Sequence, residues 1–103
     1  MDKVFIAGKV GDGSSDISDE VLKQASIKFK EKQLELESLG YLVVNPMELE
    51  PIGGNEWEHF MRATIRELCT CDYVHMLDDW DKSKGAKIEV GISDILEIKK
   101  LYI

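Results

Sequence analysis

Positive charge is scarce in this sequence. Thirteen Lys and Arg stand against twenty Asp and Glu, a formal net charge of -7. With no basic tail or stripe to neutralise a phosphate backbone, a DNA- or RNA-binding module is disfavoured, and so is docking on an anionic membrane surface. A small phosphate ligand stays open, because backbone N–H groups can hold one without any cationic side chain. Proline and glycine are also few, two and eight, which together with an ordinary apolar content excludes a disordered or low-complexity chain. Only two cysteines occur, Cys69 and Cys71, and a bridge across the single residue between them would be strained. The two histidines, His59 and His75, show no ligand spacing with those thiols. No metal site and no cofactor is therefore expected. Long apolar runs are absent too, and the chain enters a strand-like segment at once. The reading is a cytoplasmic protein with reduced thiols.

What is present is one domain, residues 1–103, in which short apolar runs alternate with amphipathic stretches. Val4–Ala7 reads as a strand buried on both faces and Tyr41–Val44 as a second buried-type strand, with Tyr73–Leu77 and Leu101–Ile103 as the third and fourth. Between the first two, Ser18 is placed to cap a helix whose stripe is Leu22, Ala25, Phe29, Leu36 and Leu39, with Gly40 as its stop. Asn55-x-x-Glu58 has the form of a capping box for a second helix burying Trp57, Phe60, Met61, Ile65 and Leu68. Ser83-Lys84-Gly85-Ala86 opens a third, carrying Ile88, Ile92, Ile95 and Leu96. Strand–helix alternation with right-handed crossovers predicts an α/β, flavodoxin-like (Rossmann-type) three-layer fold with a parallel sheet of order 2-1-3-4. The strand order reverses between strands 1 and 3, and ligands bind beyond their C-terminal ends. Gly8 to Ser15 and Leu77 to Gly85 should then form the two lips of one crevice.

Chemistry is sought on those lips. Glu89 lies one turn inside the third helix, on the same face as Gly85, and helical side chains lean toward the N-terminus. Its carboxylate should look back into the crevice, kept ionised by the helix field as a nucleophile needs, or it merely complements the helix dipole. Ser83 and the amides around Gly85 and Ala86 offer a cradle for phosphate or hydroxyl, or an ordinary N-cap. Gly8 permits a ligand to approach the first loop closely, and Trp80 can stack on a nucleobase. The Gly8, Gly11, Gly13 spacing does not make the dinucleotide fingerprint. Asp78, Asp79 and Asp81 read as a solvated acidic loop. Ser14, Ser15 and His75 lack the turn that a hydrolase triad needs.

Several segments taken together resemble a known family. They are Val4-Phe5-Ile6-Ala7-Gly8, Gly40-Tyr41 with Asn45-Pro46, Met61-Arg62, Cys71-Asp72 and Trp80-x-x-Ser83-Lys84-Gly85-Ala86-x-x-Glu89. They look like the small nucleoside 2-deoxyribosyltransferase-like proteins, over nearly the whole chain. The resemblance implies attack by Glu89 on the anomeric carbon of a deoxynucleoside or its 5′-monophosphate, release of the base, and resolution by another base or by water. It implies that Ser83 meets the sugar or its phosphate, and that sites are built between subunits. A homodimer or larger homo-oligomer is expected on that ground and because a four-stranded sheet has little to cover its flanks. The chain also departs from the pattern. Active relatives carry an aspartate where Thr64 stands, often a tyrosine at Phe5, and the nucleotide-cleaving ones an arginine near Gly11. The alternative expectation is therefore a nucleotide-binding module that keeps the crevice without the chemistry.

Overall fold

The computed structural model describes residues 2–11, 18–50, 53–54 and 56–103. Its strands are β1 (Lys3–Ala7), β2 (Leu42–Val44), β3 (Tyr73–Met76) and β4 (Lys99–Lys100), and its helices α1 (Asp19–Ser38), α2 (Trp57–Leu68) and α3 (Lys84–Ile95). Two single 3-10 turns, Pro46–Glu48 and Trp80–Lys82, follow β2 and β3. The sheet is all-parallel in the order β2-β1-β3-β4, as the alternation required. No described helix is long and apolar enough to cross a membrane.

The side-chain alternation of β1 divides the core. Val4 and Ile6 pack with Phe29 and Leu36 of α1 and with Leu77. Phe5 and Ala7 face the other way, onto Leu68 of α2 and Ala86 and Val90 of α3. All four β1 residues are fully buried. A central strand covered on both faces explains why this segment is continuously apolar rather than alternating.

Several expectations are corrected. In α3 the buried residues are Ala86, Glu89, Val90 and Ser93, whereas Ile88, Ile95 and Leu96 of the expected stripe are exposed. The buried stripe of α1 is Ala25, Phe29, Gln33 and Leu36, whereas Leu22 and Leu39 are exposed. A 20-residue helix runs about 30 Å, well past strands of three to five residues, so its end turns overhang the sheet. Gln33 replaces them inside because its side-chain oxygen accepts from Asn45 Nδ2 at 3.1 Å, and Asn45 Oδ1 in turn accepts from the Met47 amide at 2.9 Å. Trp57 is 44% exposed, since the first turn of α2 projects beyond the sheet. Glu56 is the N-cap of α2 and gives no side-chain cap; Asn55, like Gly13, Ser14 and Ser15, lies outside the described residues.

The fourth strand is Lys99–Lys100, not Leu101–Ile103. The displacement follows from how α3 ends. Glu97 takes a left-handed φ of 58°, Ile98 N donates to Ser93 O at 2.8 Å, and the chain is extended from there. Leu101 N still donates to Val74 O, while Tyr102 and Ile103 remain exposed. α1 closes with the same two-bond pattern, Gly40 N to Glu37 O and Tyr41 N to Leu36 O, but places Gly40 at the left-handed position, φ 97°. Glu97 therefore bears a steric cost that Gly40 does not. Glu97→Gly should stabilise the protein by about 0.5–1 kcal/mol, seen as a rise in Tm of about 4 °C. Gly40→Ala should shift Tm the opposite way in the same thermal melts.

Candidate active site

The edge where the strands end is built around the switch between β1 and β3. Leu77 N donates to Ala7 O at 2.8 Å, carrying the ladder one step beyond β3. Gly8 sits flush against Leu77: a Cβ there would come within 2.5 Å of Leu77 Cδ1 and 3.1 Å of its Cβ. The missing side chain at Gly8 is thus filled by Leu77. Beyond it, Asp79 Oδ1 accepts from the Lys9 amide at 3.0 Å and Oδ2 accepts from Lys28 Nζ, which also donates to Lys9 O at 2.7 Å. Burial pushes the Asp79 carboxyl up, but the hydrogen bonds from Lys28 and Lys9 and the lysine charge outweigh it and hold the group below its usual range. Asp79 is therefore no loose solvated carboxylate. It straps the two lips together on the α1 side.

The segment Trp80 to Glu89 forms the other part of the edge. Ser83 caps α3, its Oγ accepting from Ala86 N at 3.1 Å, while Ser83 O accepts from Lys87 N. The Ala86 amide is thereby spent, and its side chain, 1% exposed, belongs to the core. Among the described residues no acceptor takes the Lys84 or Gly85 amide. Those two amides, rather than the Ala86 one, are free to hold an anion. Trp80 packs from its 3-10 turn onto the core beneath α3. Gly85 admits α2: a Cβ on it would lie 3.0 Å from Met61 Sδ, so the place left by the missing side chain is taken by that thioether.

Glu89 points inward, with Ala86, Val90 and Ser93, and is 4% exposed. It does not face open solvent, and the expectation that the helix field keeps it ionised is overturned. Burial pushes its carboxyl up to about 7, and the Thr64 side chain beside it only partly lowers it. Thr64 is itself fully buried, and its hydroxyl donates to Met61 O at 3.0 Å. The position that departs from the deoxyribosyltransferase-like pattern is therefore the one beside the carboxylate. No charged side chain among the described residues shares in the shift.

The sequence reading missed the rim. Lys84 Nζ lies 4.7 Å from the ring centroid of Trp57, joining the first turns of α2 and α3 over this edge. The available signal was that Trp57 opens its helix, where a stripe residue already lies beyond the sheet. A groove of about 440 Å³ opens elsewhere, between Lys9 to Gly11 and the α1 residues Glu20, Val21, Gln24, Ala25 and Lys28, and Glu89 does not line it. Cys69 is exposed and Cys71 buried, both as free thiols, and burial lifts the Cys71 thiol to about 11. No cluster of three metal-ligating side chains occurs among the described residues.

Residues 2–102 match the model of a family described as a domain of unknown function, DUF4406. No curated protein matches the chain.

The raised Glu89 pKa has a linkage consequence. The folded state holds the proton more tightly than the unfolded state, whose carboxyl titrates near 4.5. Stability from this group is complete below that pH and is lost as pH rises through about 7. Urea unfolding from pH 4.5 to 8 should show that decline. Glu89→Gln should flatten it and leave the variant more stable at pH 8 by about 3 kcal/mol at most. The Asp79 contribution is separable, since it disappears only as pH falls below the ordinary carboxylate range.

Proposed function

The chain belongs to the DUF4406 family, and from the site it carries we propose that it acts on the N-glycosidic bond of a deoxynucleoside or its 5′-monophosphate, with Glu89 as nucleophile. One observation carries this reading: a carboxylate 4% exposed on the inner face of α3 with only a threonine hydroxyl as its described partner. Burying a carboxylate without a cation is costly, and such groups concentrate where chemistry is done. The Trp80-x-x-Ser83-x-Gly85-Ala86-x-x-Glu89 segment supports the same reading by its resemblance to the deoxyribosyltransferase-like proteins.

A pKa of about 7 leaves roughly half of Glu89 ionised at neutral pH. The ionised form adds a carboxylate oxygen to C1′ as the C1′–N bond breaks, and the bonding pair leaves with the base. Water or a second base then displaces the carboxylate. The Lys84 and Gly85 amides and the Ser83 hydroxyl stand at the α3 mouth, where a 5′-phosphate gains from the helix field. The departing base requires a proton, and the Thr64 hydroxyl is too weak an acid to supply it. That residue favours a second reading, a nucleotide-binding module without turnover, because general-acid assistance is worth ~10²–10⁴-fold in rate.

Release of free base across a panel of deoxynucleosides and their 5′-monophosphates separates the two. If the wild type releases base, Glu89→Gln should abolish it, and the rate should rise with pH through about 7 as the nucleophile ionises. If the wild type binds nucleotide without releasing base, Thr64→Asp should create measurable cleavage, gone again in Thr64→Asp/Glu89→Gln. A folded Thr64→Asp variant that binds and does not cleave assigns the chain to the binding module. Absence of nucleotide binding in thermal-shift screening refutes both.

A further inference from the structure

The outward face of α1 has an order that neither the core nor the candidate site uses. Ile27 and Leu34, 43% and 56% exposed, are seven residues apart and so lie almost in line on the helix, about 20° from one another. This line is directed away from the buried Ala25, Phe29, Gln33 and Leu36. On one flank of it stand Lys23 and Lys30, on the other Glu20 and Glu31. Beside the lysine flank the turn Pro46–Glu48 raises a wall, so that Ile27, Leu34 and Met47 line a groove of about 450 Å³. Lys30 Nζ reaches Glu48 across it at 3.6 Å.

We propose that this face seats a second copy of the chain, the two α1 helices lying parallel about a two-fold axis that runs along them. The occupant and its direction follow from the charges. Side by side and parallel, each lysine flank meets the partner's acidic flank, so Lys30 faces Glu31 and Lys23 faces Glu20 of the other copy. Symmetry makes each of these contacts twice, on either side of an Ile27–Ile27 and Leu34–Leu34 seam. Turning one helix end for end would bring lysine flank onto lysine flank and acidic flank onto acidic flank. A partner of one charge sign would satisfy only half of the face. Ile95, Leu96 and Tyr102 are also exposed, but they flank β4 in the sequence, whose Lys99 and Lys100 would oppose their own copies if the sheet edges paired. The inference uses α1 alone and stands apart from any chemistry at Glu89.

Sedimentation equilibrium up to about 100 µM tests it, with a Kd in the tens of micromolar expected for a seam of this size. The mass should approach twice 11.7 kDa. Leu34→Asp should give monomer, and Ile95→Asp should change nothing. Lys30→Glu and Glu31→Lys should each weaken pairing at least ~10-fold, and an equimolar mixture of the two should restore it as a heterodimer. Circular dichroism verifies that each variant is folded. In a Cys69→Ser background, Ile27→Cys should cross-link to its own copy under mild oxidation. Cross-linking only between Ile27→Cys and Leu34→Cys chains would overturn the parallel arrangement. A wild type monomeric at every concentration, or a dimer broken by Ile95→Asp and indifferent to Leu34→Asp, would overturn the proposal.

Discussion

The Glu89 carboxylate is enclosed between two helices, and that enclosure sets the terms for everything near it. Desolvating a carboxylate is tolerable here because the group holds its proton until about neutral pH and has the polar Thr64 side chain beside it. Both conditions require α2 to sit close on α3, which Gly85 permits by leaving its place to Met61 Sδ. Ser83 then fixes where α3 begins, and Gly85 and the Glu89 carboxylate follow on one face, about one turn apart. A Cβ at Gly85 would press on Met61 Sδ at 3.0 Å, so the thioether would have to give way.

The same architecture shows where sequence reasoning succeeds. The order 2-1-3-4 was legible from the strand–helix alternation, and the central place of β1 agrees with the unbroken apolar run Val4 to Ala7, which a strand covered on both faces requires. That Glu89 stands on the same face as Gly85 was legible from their four-residue spacing, but the sequence pointed the carboxylate into the crevice, whereas it is 4% exposed. Its ionisation was not legible, because the helix field is a local property of the chain, whereas desolvation depends on Thr64 and Met61, which are remote in sequence. Leu22, Leu39 and Trp57 were misplaced for one reason: helical periodicity gives direction but no information on where the sheet stops. Gln33 was missed because its burial depends on Asn45, twelve residues away, supplying a partner for its amide. The fourth strand shifted because the chain turns at Glu97 in a conformation that usually announces itself with glycine.

Among the site residues, the segment from Trp80 to Glu89 holds together as a single unit, because the 3-10 turn, the Ser83 cap and the first turns of α3 are contiguous. Gly8 belongs to the neighbouring strand and is engaged by Leu77. Trp57 and Lys84 extend the edge in a direction the apolar pattern did not suggest. The α1 groove at Lys9 to Gly11 is on the opposite side of the sheet from Glu89.

The strap formed by Asp79, Lys28 and Lys9 makes the breathing of this molecule one-sided. Two charge-assisted contacts from Lys28 hold the loops after β1 and β3 to α1, and a third, Lys9 N to Asp79 Oδ1, ties those loops to each other. On the other side α2 meets α3 through thioether, threonine and an exposed cation–π pair. Fluctuations that open the strand ends must then pivot about the α1 side, like a book whose spine is Asp79. Solvent exchange of the amides should be fastest at the fore-edge, around Lys84 and Gly85, and slowest along the spine, at Lys9 and Leu77.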